Sequence, residues 1–154
     1  MKRIALLITA LTACHHHSHD LAEDACAHMA DAPQSIDAAT DASAAPSLDM
    51  THVRYDINLV ETADERGGLV SFAATEAGEY YFFLGAEVPM SMSDPIGASV
   101  PFTQGPEAVE ECEELASHYV IELGVGSYLI SFGPTSVELL SLIVIEADGE
   151  HHHH

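Results

Sequence analysis

Positive charge is what this sequence lacks most. Its 154 residues include only four lysines and arginines against 25 aspartates and glutamates, giving a formal charge of −21 at pH 7. So acidic a surface repels phosphate backbones and anionic head groups at long range, which excludes nucleic acid as a partner and makes cations the natural ones. Long apolar runs are missing too. The apolar stretch Ile4 to Leu11 falls well short of the about 20 residues that a membrane-spanning helix needs. Catalytic signatures are absent: there is no Gly-x-Ser-x-Gly elbow, no His-Glu-x-x-His helix and no phosphate-cradling glycine loop, so no enzyme is expected. Cysteine is scarce, confined to Cys14, Cys26 and Cys112.

The start of the chain is organised around the first of these. Lys2 and Arg3 form a basic n-region and Ile4 to Leu11 an apolar h-region, the two parts of an export signal. Where a secretory cleavage site would follow stands Leu11-Thr12-Ala13-Cys14, which resembles the lipobox of bacterial lipoproteins. The resemblance implies that Cys14 receives a diacylglycerol on its thiol, that residues 1–13 are removed, and that the new amino group is acylated. Each buried methylene adds about 0.8 kcal/mol and one chain holds only marginally, so two or three chains make a lasting anchor. It also implies the cell envelope. Because His15 rather than aspartate follows the cysteine, the outer membrane is expected over the inner. Processing would leave 25 acidic residues facing Arg54 and Arg66, −25 + 2 = −23.

Export exposes the remaining pair, Cys26 and Cys112, to oxidising conditions, and a disulfide between them is expected. An alternative takes Cys26, His28 and Met29 of "ACAHM" as a soft Cu(I) cluster, since thiolate and thioether suit that ion. Residues 14–50 read as a tether, histidine-rich at first and then rich in Ala, Asp, Ser and Pro, with few side chains able to fill a core.

From residue 51 to 148 the chain reads as a folded domain. Val53, Tyr55, Ile57 and Leu59 alternate with polar neighbours, the pattern of a half-buried strand. Further strands are expected at Leu69–Ala74, Glu79–Gly85, Val88–Met92, Ala98–Thr103, His118–Leu123, Ser127–Phe132 and Val137–Glu146, with turns at Gly67-Gly68, Gly78, Asp94 to Gly97, Gly124 to Gly126 and Gly133-Pro134. About eight short strands spaced this closely indicate an all-β fold, an antiparallel β-sandwich. Pro106 followed by an acidic run predicts one short helix, with Val109, Cys112 and either Leu115 or Ala116 inward and the glutamates in water. Glutamates on a helix surface do not converge the six to eight oxygens that Ca²⁺ requires. Gly78-Glu79-Tyr80 and Gly126-Ser127-Tyr128 each open a strand after a turn. They resemble the Gly-x-Tyr strand starts of secreted bacterial β-sandwich modules of the prepeptidase C-terminal type. That resemblance implies the fold and carries no metal site with it.

Histidine remains. His15, His16, His17 and His19 follow the lipobox on a segment expected to be mobile, with Asp20 and Asp24 close by, and His151, His152, His153 and His154 close a tail of residues 149–154. Neutral imidazoles offer lone pairs to zinc, copper or nickel, so these residues, with His28, are the candidate ligands of a divalent transition-metal site. The terminal run also reads as a purification tag. His52 and His118 start expected strands and read as edge residues rather than bases. The sequence therefore points to a lipid-anchored envelope protein that binds or buffers transition metal through histidine-rich termini. The alternative is a structural or interaction module whose sandwich takes a protein or glycan partner.

Overall fold

Strands that alternate apolar and polar residues need one cover, whereas strands apolar on both faces need two. Both kinds occur here. The computed structural model describes residues 16–147, which form α1 (His16–His28), β1 (Gln34–Asp37), β2 (Ser47–Leu48), β3 (Arg54–Asn58), β4 (Val60–Thr62), β5 (Glu65–Ala74), β6 (Gly78–Leu84), β7 (Met90–Ser93), β8 (Ser99–Val100), β9 (Gln104–Ala108), β10 (Ser117–Leu123), β11 (Gly126–Thr135) and β12 (Leu139–Glu146). The first sheet runs β1-β3-β12-β6-β10-β9 and the second β2-β5-β11-β7-β8, with β4 beside β5. The two form a β-sandwich. Its interior takes Tyr55, Ile57, Phe82, Ile121 and Val144 from the first sheet and Val70, Phe72, Ile130 and Phe132 from the second.

The first sheet is apolar on its outer face as well. Along β6, Tyr80, Phe82 and Leu84 point into the sandwich while Tyr81 and Phe83 point out; along β12, Leu142 and Val144 point in while Ile143 and Ile145 point out. The second cover is α1. Leu21, Ala22, Ala25, Cys26 and Met29 fall at i, i+1, i+4, i+5 and i+8, one stripe of a helix, and all pack onto Tyr81, Phe83, Val120, Ile143 and Ile145. Two ties hold the helix there. Cys26 is joined to Cys112 across 86 residues with Cα atoms 5.8 Å apart, as expected of the pair. Arg54 Nη1 donates to the Met29 carbonyl at 2.7 Å, just past the helix end, while its Nε and Nη2 donate to Asp56 at 3.0 and 3.1 Å.

Several expectations are corrected. Within the stretch read as a tether, residues 16–50 fold: they supply α1, an edge strand on each sheet and the 3-10 turn Ala42–Ala44. Its few apolar residues, Ile36, Ala38 and Leu48 among them, reach the sandwich core. β1 and β2 pair in parallel with β3 and β5, so the sheets are mixed rather than purely antiparallel. Twelve strands, not about eight, lie among the described residues. The helix expected from Pro106 is absent. Gln104–Ala108 pairs instead with β10 as an exposed edge strand, where a proline costs no ladder bond, and turns follow around Cys112. Cys112 nevertheless points inward and is buried. Gly67-Gly68 and Gly133-Pro134, expected as turns, lie within β5 and β11, opposite each other at a break in the register. A Cβ on Gly133 would stand 2.6 Å from the Arg66 carbonyl oxygen, so glycine there permits a close approach of two strands. The signal segment, Cys14, His15 and His151 to His154 lie outside the described residues.

Replacing Cys26 and Cys112 together by alanine is expected to lower the unfolding free energy by roughly 2–4 kcal/mol, as is usual for removing a native disulfide. It should also speed amide exchange in α1 more than in β6 or β12. An unchanged denaturation midpoint with unchanged α1 exchange contradicts the role given to this bond.

Candidate metal centre

Residues four apart on a helix share a face, which puts Asp24 and His28 side by side at the end of α1. A third group comes from a distant part of the chain. His52 precedes β3 with φ of 56°, in the left-handed region that histidine visits more readily than most residues, and its amide donates to the Val144 carbonyl at 2.8 Å. The backbone thereby fixes His52 against β12, facing the helix that covers it.

Asp24 lies between the two rings. One carboxylate oxygen is 3.0 Å from His52 Nδ1 and the other 3.8 Å from His28 Nε2; the rings stand edge to face with centroids 5.7 Å apart. Behind His28, Asp31 accepts from Nδ1 at 2.8 Å. With Nδ1 donating to Asp31, Nε2 is the ring nitrogen left to coordinate an ion, the carboxylate–imidazole arrangement that orients metal-binding histidines. One donor atom each from Asp24, His28 and His52 lies within 4.8 Å of the others. A tetrahedral ion with bonds of about 2.0–2.2 Å holds its ligands about 3.3–3.6 Å apart, so small side-chain rotations suffice to close this set. Two imidazoles and a carboxylate suit Zn²⁺, Cu²⁺ or Ni²⁺. The side chains of Asp24 and His52 are 43% and 45% exposed, which leaves room for water or an exchanging ligand at a further position.

The residues picked out from sequence are distributed differently. His28 belongs to this centre. His16, His17 and His19 occupy the first turns of α1 rather than a mobile segment, upstream of Asp24 on the same helix. The soft Cu(I) alternative loses its thiolate, because the Cys26 sulfur is bonded to that of Cys112, and Met29 packs against the apolar cluster under the helix. The same bond removes the thiols of the second group of potential ligands, Cys26, Cys112 and Glu114. From the sequence alone Asp24 counts only as local negative charge and His52 as an edge residue. Asp24-x-x-x-His28 was readable as one helical face, with Asp31 in the turn that follows the helix; the arrival of His52 depends on β3 pairing with β12.

His118 plays another part. It is the second residue of β10, buried on the outer face of the first sheet against Tyr81 and Phe83, with ring centroids 6.2 and 5.5 Å away. Its Nε2 is 3.8 Å from Glu107, and its Nδ1 has no hydrogen-bond partner among the described residues. Burial lowers its pKa below the ordinary value of 6.5, outweighing the opposing pull of Glu107 and Glu111. The unfolded chain therefore takes up this proton first as pH drops below about 6.5, and the folded state loses stability from there down to the folded pKa. His118→Gln should narrow the loss of melting temperature between pH 7 and pH 5. An equal loss in both proteins would refute this assignment.

No protein-family model matches the chain, and no curated protein matches it in sequence.

Proposed function

We propose that this protein is an envelope lipoprotein, anchored through Cys14, that captures and buffers a divalent transition metal and catalyses no reaction. The observation that carries this reading is the convergence of Asp24, His28 and His52, with Asp31 behind His28. Structural metal sites are closed and four-coordinate; three protein donors at a half-exposed position favour exchange with solvent instead. Zinc, copper and nickel all suit the donor set, and copper and nickel compete well with zinc at such ligands. The histidines of the chain ends, His15, His16, His17 and His19 with His151 to His154, add weaker capture sites. The net charge of −21 raises the local concentration of any cation. Binding requires neutral rings, so it releases protons and weakens in acid.

Calorimetric titration with Zn²⁺ is expected to resolve one tight site per chain. His52→Gln or His28→Gln should abolish that site, and Asp31→Asn, which leaves the donors in place, should weaken it about 10–100-fold. Replacing His15, His16, His17 and His19 by serine should lower the number of weak sites and leave the tight one. Tight binding that survives His52→Gln but disappears with the terminal histidines would reject the centre in favour of the chain ends.

Anchoring has its own test. Cys14→Ser should leave an unprocessed precursor without acyl groups, and a wild-type protein whose intact mass carries no acyl chain would overturn the lipid assignment.

A further inference from the structure

A sulfur in a disulfide carries no proton, so it donates no hydrogen bond to a carboxylate. Glu114 nevertheless holds one carboxylate oxygen beside the bond between Cys26 and Cys112, 3.5 Å from the Cys112 sulfur and 3.8 Å from that of Cys26. The oxidised pair draws no stability from that placement, whereas two thiols would supply two donors. One atom each from Cys26, Cys112 and Glu114 lies within 4.8 Å of the others, and none of the three residues belongs to the centre of Asp24, His28 and His52. Cys112 is buried, Cys26 half-buried and Glu114 exposed, so the group opens to solvent on the side of Cys26 and Glu114.

More than the bond keeps these groups together. Cys112 opens a turn at 112–115 that the Leu115 amide closes on the Cys112 carbonyl at 3.2 Å; Leu115 is buried, and the next amide, that of Ala116, donates to the Leu84 carbonyl at 2.8 Å. Glu114 rides on that turn. Cys26 sits on α1, which Ala22, Ala25 and Met29 seat on the first sheet and Arg54 ties at its end. Breaking the sulfur–sulfur bond therefore loosens α1 but leaves all three donors on elements that face each other.

We propose that Cys26, Cys112 and Glu114 form a second metal site, open only when the disulfide is reduced, which takes Zn²⁺ through two thiolates and a carboxylate. A tetrahedral zinc ion with bonds of about 2.3 Å to sulfur and 2.0–2.2 Å to oxygen holds sulfur and oxygen about 3.6 Å apart, close to the separations already present. The sulfurs alone must part, to about 3.8 Å. A dithiol reductant supplies the two electrons. One of its thiolates attacks the Cys26 sulfur, the less buried of the pair, forming a mixed disulfide as the Cys112 thiolate leaves; its second thiolate then displaces Cys26 and closes the reductant's own disulfide. Zinc replaces the protons of both thiols, which pass to water, and takes over from the disulfide as the tie between α1 and the body. Exchange with a disulfide oxidant reverses the sequence, re-forms the Cys26–Cys112 bond and expels the ion.

The test compares the oxidised full chain with the same protein reduced anaerobically by an immobilised dithiol that is removed before titration. His52→Gln serves as the background, since it lacks the first centre. Reduction should add one tight Zn²⁺ site per chain, and Co²⁺ should show thiolate-to-metal charge-transfer absorption only after reduction. Zinc should protect both thiols from alkylation by iodoacetamide and slow the amide exchange of α1 toward its oxidised rate. Cys112→Ser should abolish the added site. Glu114→Gln, an exposed substitution, should weaken it by more than the roughly tenfold that loss of an outer-shell partner costs. The wild type should gain the same site on reduction whether or not the oxidised protein binds zinc, so failure of the first centre and failure of this one are read separately. No gain in tightly bound zinc on reduction, a gain that survives Cys112→Ser, or an affinity that Glu114→Gln leaves unchanged would each overturn the proposal.

Discussion

Tyr81, Phe83, Val120, Ile143 and Ile145 put apolar side chains on the face of the first sheet that looks away from the sandwich, and α1 with the loop around Cys112 and Leu115 keeps them from water. Burying a side chain of this size stabilises the fold by about 1.5–3 kcal/mol, so leaving the face bare would cost a large part of the stability of a domain this small. The cover itself is weak. A 13-residue helix is marginal in isolation, and the face it presents is built on Ala22 and Ala25, which allow a close approach but offer little area. The disulfide and the Arg54 bond to the Met29 carbonyl make good that deficit. The metal centre is a consequence of the same docking: with α1 seated, Asp24 and His28 come within reach of a His52 that the Val144 carbonyl holds in place.

Charge works in the same direction. Arg54 is occupied with Asp56 and the helix end, and Arg66 with the Leu59 carbonyl, Glu61 and Glu138. Both arginines of the described residues are thus engaged internally, and neither lies among the donors of the centre. The negative field is left to the acidic side chains, and a cation approaching Asp24 and Asp31 meets attraction from the surface as a whole. Salt screens that contribution, whereas the coordinate bonds survive it.

The sandwich was legible because most of its strands carry a period of two or an unbroken apolar run, as in the Val53 to Leu59 alternation and "LLSLIVIE" at Leu139–Glu146. That second pattern also implies a covering element, since a strand apolar on both faces requires one. Composition hid the element: "LAEDACAHMA" has too few large apolar residues to look like a core helix, yet alanine is the residue that lets a helix lie close to aromatic rings. Edge strands such as β1 and β2, with two to four residues each, are fixed by their neighbours rather than by their own periodicity. The false helix at Pro106 shows the converse. Its acidic residues satisfy the helix-start pattern, but the backbone of Gln104–Ala108 gains more from pairing with β10. Of the candidate site, Asp24, His28 and Asp31 are close by local spacing, two on the helix and one in the turn after it, whereas His52 joins through strand pairing that no local pattern encodes.

The central claim is that Asp24, His28 and His52 bind one ion together, and anomalous diffraction from crystals of the zinc-loaded protein tests it most directly. The account predicts a single strong zinc peak about 2.0–2.2 Å from His28 Nε2, from a ring nitrogen of His52 and from an oxygen of Asp24. Zinc held only by the histidines at the chain ends, with His28 and His52 both free of metal, would contradict it.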